Sequence, residues 1–346
     1  MEIDFEHRPA AHCENGVTRN LLKFYGYDYS EPLIFGLSAS LYFVHIPFIK
    51  LAGFPLTSFR PLPGAIFSRV TRLLGFKTST EIFLNRENAV KKLDALISSG
   101  IPAGCVAGMY YLPYMPVEYR FHFNAHNICV IGKEDDNYLI SDPVAMEKVT
   151  ISAKDLLRAR FAKGVYPPMG KLYRIKSLPE QTPDMPFLIK KAILKNCYRM
   201  LYQPGVVPFV GINTFNYLGD RIKEFPRIYG DRKAALHLAQ LVRMMEEIGT
   251  GGAGFRFLYA AFLQEAADVA KLSDLCFYSH EMTETGDMWR EFAANAARIY
   301  KNRAEKCIDY RTVGEQLINI GLREKMLFTA LDSFIKNKCR TTPQSR

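Results

Sequence analysis

Three residues of this chain have the types and settings that acyl chemistry uses. Cys13 lies in Ala11-His12-Cys13-Glu14-Asn15-Gly16, at the start of a stretch, 14–25, where Val17, Leu21 and Phe24 repeat at helical spacing before Gly26. A helix N-terminus favours negative charge, so a thiol placed there is biased toward the thiolate, the form that attacks a carbonyl carbon. His126 opens the apolar run 126–132, and Asp142 closes the run 138–142 just before Pro143. A histidine can take the thiol proton, or pair with the thiolate, and later return a proton to a leaving group. A carboxylate behind it would fix its tautomer. Each residue also has a plainer reading: a buried cysteine, a core histidine, an Asp-Pro turn. Polar neighbours (His12, Glu14, Asn15) set Cys13 apart from Cys129, which sits inside Ile128-Cys129-Val130-Ile131 and reads as inert core.

These side chains act together only if the backbone brings them to one face. Glu134-Asp135-Asp136-Asn137 is a turn, so the two apolar runs pair as a hairpin. With Ile131 opposite Tyr138, His126 falls opposite Pro143 and Asp142 points to the other face. A shift of one residue, or a bulge at the turn, makes His126 and Asp142 diagonal neighbours on one face. The triad therefore requires an irregular register. His7, six residues before Cys13, is a candidate donor to an oxyanion beside the nucleophile, together with the Cys13 amide. A solvated surface histidine is the other reading of His7. Asn15 is a second auxiliary candidate. His122 precedes His126 by four residues, but on a strand and outside any HExxH context, so no metal site is expected.

Further elements frame this site. Residues 86–99 form an amphipathic helix ending at Gly100, and short apolar runs at 103–112, 126–131 and 138–142 alternate with turns. Residues 1–178 thus read as an α+β domain of helices followed by a small antiparallel sheet. Ser177-Leu178-Pro179-Glu180-Gln181-Thr182-Pro183-Asp184-Met185-Pro186 is a linker by composition. Past it, 187–202, 231–248, 254–272, 285–304 and 311–336 carry helical periodicity, giving a second, mostly helical domain over 179–346. In that half, Gly249-Thr250-Gly251-Gly252-Ala253-Gly254-Phe255-Arg256 admits two readings. Gly251 and Gly252 could present amides to an anion that Arg256 clamps, or the run could serve tight helix packing. It is neither a Walker motif nor a dinucleotide fingerprint. Lys191, Lys195 and Arg199 share one helix face, which reads as a docking or a solvated face.

Bulk properties narrow the class. The chain has 346 residues, enough for two cores, and a net charge of +10 divided evenly, with 21 basic and 16 acidic residues up to 178 and 24 and 19 after it. An evenly basic surface suits an acidic partner protein, a phosphate or an anionic membrane. No zinc finger, helix-turn-helix or aromatic-interleaved basic motif supports nucleic-acid binding. Seven cysteines without CxxC pairing, and no signal peptide, lead to the expectation of a reducing, cytoplasmic setting without disulfides. The most apolar stretch, 33–54, is interrupted by His45, Pro47 and Lys50 and reads as core, not as a membrane span.

These residues resemble the butirosin biosynthesis protein H family. His12-Cys13-Glu14-Asn15-Gly16, Asn20-Leu21-Leu22, Gly26, Ser30-Glu31, Phe35-Gly36-Leu37, Tyr111-Leu112-Pro113-Tyr114, Ala125-His126 and Ser141-Asp142-Pro143 carry the likeness to its N-terminal domain. Gly249-Thr250-Gly251-Gly252, Phe255-Arg256 and Trp289 carry the likeness to the helical domain that accompanies it. The resemblance implies a papain-like domain and an acyltransferase. Cys13 would take an acyl group from the phosphopantetheine arm of an acyl carrier protein, with no bound cofactor. His126 and Asp142 would activate the thiol and then a small-molecule or lipid acceptor, an amine or a hydroxyl, in natural-product or polyene biosynthesis. The aromatic-rich segment 33–114 would then line an acyl channel or form plain core. Two alternatives stay open: a cysteine peptidase or amidase, which shares the triad and differs in admitting water, and a binding module without catalysis.

Overall fold

A computed structural model describes residues 1–51, 53–202, 207–305 and 307–341. In chain order the helices and strands are α1 (Cys13–Phe24), α2 (Glu31–Leu37), β1 (Val44–Leu51), β2 (Phe54–Ser58), α3 (Ala65–Leu73), β3 (Lys77–Glu81), α4 (Arg86–Ser98), β4 (Ala103–Ala107), β5 (His126–Glu134), β6 (Asn137–Ser141), β7 (Val149–Ser152), α5 (Ala153–Arg160) and β8 (Leu172–Ser177). The helices α6 (Met185–Leu201), α7 (Asn213–Lys223), α8 (Phe225–Tyr229), α9 (Asp231–Val242), α10 (Arg256–Val269), α11 (Leu275–Tyr300) and α12 (Tyr310–Thr341) follow. The fold is α+β followed by a mostly helical part.

Two compact units emerge, one of residues 1–34 and 63–183, the other of 35–62 and 184–346. The division differs from a single cut after residue 178: residues 35–62 belong with the C-terminal helices. Phe43 and Phe59 explain why. They stack on each other at 5.1 Å and both meet the edge of Trp289 from α11, at 5.3 and 5.5 Å. All three are 2% exposed or less, so the β1–β2 hairpin supplies part of the helical unit's core. Burying rings of this size contributes on the order of 2–3 kcal/mol each. Phe35 likewise stacks on Phe255 at 4.9 Å. These aromatic side chains of the stretch 33–114 are core, not channel lining. Residue 52 of that stretch lies outside the described residues.

The first unit is built on a six-stranded antiparallel sheet in the order β3-β8-β4-β5-β6-β7. The central strand β5 is buried over its first seven residues, as a strand flanked on both edges and covered on its faces must be. Helix α1 packs on it, and its Val17, Leu21 and Leu22 are fully buried. Among the described residues no helix is long and apolar enough to cross a membrane.

Candidate active site

Cys13 is the first residue of α1, and the local sequence explains why the helix starts there. His12 holds an extended backbone, and its imidazole accepts the Asn15 amide at 3.3 Å. The segment entering the helix is pinned by Glu31, whose carboxylate accepts the amides of Ala11 and His12, both at 2.9 Å. Glu14 is fully buried. Its carboxylate accepts the amides of Ile66 and Phe67 at 2.8 and 3.3 Å, capping the start of α3. Four residues of the motif around Cys13 thus fix the helix end, which leaves the sulfur at the positive pole of α1.

His126 and Asp142 share one face, and a bulge puts them there. Strand β5 pairs Cys129 with Ser141 and Val130 with Ile140, then resumes with Gly132 opposite Leu139, so Ile131 is the extra residue. This shift makes His126 and Asp142 diagonal neighbours. The Nε2–H of His126 donates to Asp142 Oδ2 at 2.8 Å, with the two side chains 2% and 0% exposed. The other ring nitrogen, Nδ1, is left for the Cys13 sulfur, to which His126 is hydrogen-bonded. Both Asp142 oxygens are engaged: Oδ2 also accepts the Tyr114 hydroxyl at 2.9 Å, and Oδ1 accepts the Val144 amide at 3.0 Å.

Burial by itself disfavours the imidazolium, but the charges of Asp142 and Cys13 and the hydrogen bonds to both outweigh it. The His126 pKa is raised from 6.5 to about 10. A protonated imidazole between a thiolate and a carboxylate is the resting form of a cysteine nucleophile. The Tyr114 hydroxyl, buried against the same carboxylate, stays protonated and remains a donor. Cys105 and Cys129 are fully buried with thiol pKa values pushed up by burial, so they are not competing nucleophiles.

Gly16 is the contact that seats α1 against the acid. A Cβ at this position would lie 2.4 Å from Pro143 Cβ and 2.7 Å from Ala10 Cβ. The Ala10 amide also donates to the Pro143 carbonyl at 2.8 Å. Gly16→Ala is therefore expected to push the helix start off Asp142-Pro143 and lower turnover about 100-fold, since a displacement of ~1 Å in a catalytic group costs about that much. Steady-state kinetics beside a thermal melt check this, the melt being expected to move much less.

The other candidate residues fall elsewhere. His7 donates from Nε2 to the Ala145 carbonyl at 3.2 Å, and its Nδ1 accepts the Ser141 hydroxyl at 2.8 Å. Both nitrogens are engaged, so His7 offers no donor to an oxyanion; it ties the N-terminal segment to the strand end that carries Asp142. Asn15 is fully buried on α1, with neither side-chain polar atom hydrogen-bonded. A residue the sequence did not single out reaches the sulfur: Asn127 Nδ2 lies 3.9 Å from Cys13 Sγ. The signal that could have found it is an amide inside a buried apolar strand, where a polar side chain needs a partner.

The anion-clamp reading of the glycine-rich run is corrected by its own hydrogen bonds. The Gly252 amide donates to Thr250 Oγ1 at 3.1 Å and the Ala253 amide to Glu246 at 3.1 Å, so a carboxylate already sits where an anion would. Gly251 and Gly252, with φ of 69° and 89°, serve the turn, and Gly254 has Phe59 2.4 Å from where a Cβ would stand. Arg256 is 0% exposed and forms a two-pronged pair with Glu324 at 2.8 and 3.0 Å. Of the basic face on α6, Arg199 turns inward to the Ser38 and Ala39 carbonyls. Among the described residues no cluster of His, Cys, Asp or Glu could hold a metal ion.

This geometry is the arrangement that papain-like cysteine nucleophiles use. A search of curated protein sequences finds no match. Solved structures similar to the chain include the peptidase domain of Streptococcus ComA, a bi-functional ABC transporter involved in a quorum sensing pathway. It is 15% identical over 51% of this chain and 99% of that one, with a TM-score of 0.33. A protein described as a C39-like peptidase from Bacillus anthracis is 12% identical over 52% and 92%, with a TM-score of 0.35. The family model described as a domain of unknown function, DUF4872, matches residues 154–331, and the one described as butirosin biosynthesis protein H, N-terminal, matches 12–143, from just before the cysteine to just past the aspartate. The chain belongs to the butirosin biosynthesis protein H family.

Proposed function

We propose that the protein is an acyltransferase that takes an acyl group from a carrier-protein thioester onto Cys13 and passes it to an amine or hydroxyl acceptor. The observation that carries this reading is the pairing of Cys13 at the start of α1 with His126, itself held by Asp142. The Cys13 thiolate adds to the thioester carbonyl, forming a carbon–sulfur bond and sending the π electrons to oxygen. Collapse of this oxyanion expels the pantetheine thiolate, which takes the proton from the His126 imidazolium. His126, now neutral, takes a proton from the incoming acceptor as it attacks the acyl-enzyme, and collapse of the second oxyanion expels Cys13 as the thiolate, which restores the resting thiolate–imidazolium pair.

The enclosure of the sulfur supports a thioester donor. Cys13 is 7% exposed, and a thiol so covered is reached more readily by a narrow pantetheine arm than by a broad polypeptide. Enclosure also favours transfer over hydrolysis, since water must be kept from the acyl-enzyme. The net charge of +10 suits an acidic carrier. We propose the reducing compartment of the cytoplasm as the setting, since the seven cysteines fall in no CxxC pair.

Intact mass after incubation with acyl-loaded carriers or acyl-pantetheine, beside a Cys13→Ala variant, tests the proposal. Expected is an acyl adduct on the wild type, absent from the variant and released by an amine or an alcohol. Consumption of the donor without an acceptor would replace transfer by hydrolysis. Absence of any adduct and turnover, with a Cys13 that alkylates no faster than the exposed cysteines, would leave a binding module.

A further inference from the structure

We infer that Asn127 is a further catalytic residue of this site, its carboxamide N–H facing the negative charge that forms at Cys13, first on sulfur and then on the substrate oxygen. The inference rests on the cysteine-nucleophile reading and assigns the donor that His7, with both ring nitrogens engaged, does not supply.

Asn127 follows His126 on β5, is 1% exposed, and directs Nδ2 at Cys13 Sγ from 3.9 Å. That distance is within hydrogen-bonding reach for sulfur. The orientation of the amide is fixed by its other end. Asn127 Oδ1 accepts the Tyr173 hydroxyl at 2.8 Å, so the oxygen is held back and the NH2 group must point forward. One of its two hydrogens is taken by the Ala125 carbonyl at 3.1 Å, which leaves the second for the sulfur.

Tyr173 is a positioning residue, and a missing side chain makes room for it. Its strand, β8, lies beside β4, with Gly104 opposite Tyr173. A Cβ on Gly104 would stand 2.3 Å from the ring, so only glycine lets the phenol lie across β4 to reach β5. The ring is also held by Phe67, whose centroid is 4.6 Å away. Burial and the nearby acidic groups keep the phenol protonated, so it remains a donor to Asn127. The chain Gly104, Tyr173, Asn127, Cys13 is therefore preorganised, as an oxyanion donor has to be.

The test uses the full chain with Asn127→Asp, which keeps the shape and replaces the donor by a carboxylate, and with Tyr173→Phe, which frees the amide to rotate. The rate and pH profile of Cys13 alkylation by iodoacetamide are followed by peptide mass. Single-turnover acylation by acetyl-pantetheine and a thermal melt are run on the same samples. For Asn127→Asp, an alkylation profile moved to higher pH and acylation slowed about 100-fold are expected, the loss typical of one oxyanion-hole donor. Tyr173→Phe should move both in the same direction by less. Wild-type alkylation and acylation in a folded Asn127→Asp would overturn the assignment. Should Asn127→Asp fail to fold, a wild-type alkylation profile in Tyr173→Phe would overturn it equally. Alkylation needs no acyl donor, so an enzyme that accepts no thioester would refute the acyltransferase reading while leaving this one to be decided by the profile.

Discussion

His126→Ala is expected to slow acylation of Cys13 by on the order of 10⁴-fold or more, and Asp142→Asn by roughly 10²–10⁴-fold, as for the corresponding members of other nucleophile–base–acid triads. Without His126 the thiolate loses its counter-ion and the leaving thiolate its proton donor. The effect of Asp142→Asn is subtler, because Asp142 accepts from three donors: His126 Nε2–H and the Tyr114 hydroxyl on one oxygen, the Val144 amide on the other. A carboxamide must turn its NH2 toward at least one of them. Facing His126, it forces the imidazole into the tautomer with Nε2 bare and Nδ1 protonated, which cannot accept the thiol proton. The pH profile separates this from a loss of packing. Burial works against the His126 proton, and Asp142 is the foremost of the groups that overcome it and raise the pKa to about 10. Neutralising Asp142 lets burial dominate, so the His126 pKa falls. The wild-type acylation rate should therefore hold up to about pH 10, while the upper limb of Asp142→Asn moves toward neutrality. An upper limb that stays in place in the variant would show that Asp142 does not set the protonation of His126.

The parts of this site that were legible in the sequence are those set by local patterns. Cys13 at a helix start follows from Val17, Leu21 and Phe24 at helical spacing, and α1 spans Cys13–Phe24. The hairpin turn was visible in its acidic residues. The extra residue Ile131 was not, because its cause lies far away in the chain. The Ile131 carbonyl accepts the amide of Ile3 at 2.8 Å, the Lys133 amide donates to the Met1 carbonyl at 2.9 Å, and Glu2 bridges to Gly132. The first three residues thus hold the strand where β5 changes register, and the triad geometry depends on a contact over about 130 residues that no local window contains. Asn127 was hidden for a related reason: its partner Tyr173 lies on a strand that follows it by more than forty residues, and β8 (Leu172–Ser177) is too short and polar to announce itself.

The domain boundary and the glycine-rich run departed from expectation because their partners lie far away in the chain. Periodicity tells which face of a segment is apolar, not which unit covers it. The stretch 33–54 was legible as core, but the partner of Phe43 is Trp289, almost 250 residues on. Strands β3 and β7 carry little apolar alternation because they are the edges of the sheet, so one side of each is wet. An arginine after a glycine run looks like an anion clamp until its partner is known, and Glu324 sits on α12.

That partner turns Arg256 into a stability determinant of the helical unit, with a large expected effect. Neither side chain of the Arg256–Glu324 pair is exposed. The guanidinium also donates to the Gly254 carbonyl at 2.8 Å and lies 5.0 Å from the Trp289 ring centroid, while Glu324 Oε1 accepts the Trp289 indole N–H at 2.8 Å. Arg256→Ala leaves a buried carboxylate with only the indole N–H, and should cost about 3–5 kcal/mol, the usual loss on breaking a buried pair from one side. In a unit of this size that lowers the melting midpoint by roughly 10 °C. The double variant Arg256→Met with Glu324→Gln should recover most of the loss, because it removes both charges and the introduced carboxamide can still accept the indole N–H. This recovery is the discriminating result, read from melts of the single and double variants as a mutant cycle. If Arg256 instead bound an anion, its replacement would weaken donor or acceptor binding while leaving the midpoint in place, and restoring neutrality at Glu324 would rescue nothing.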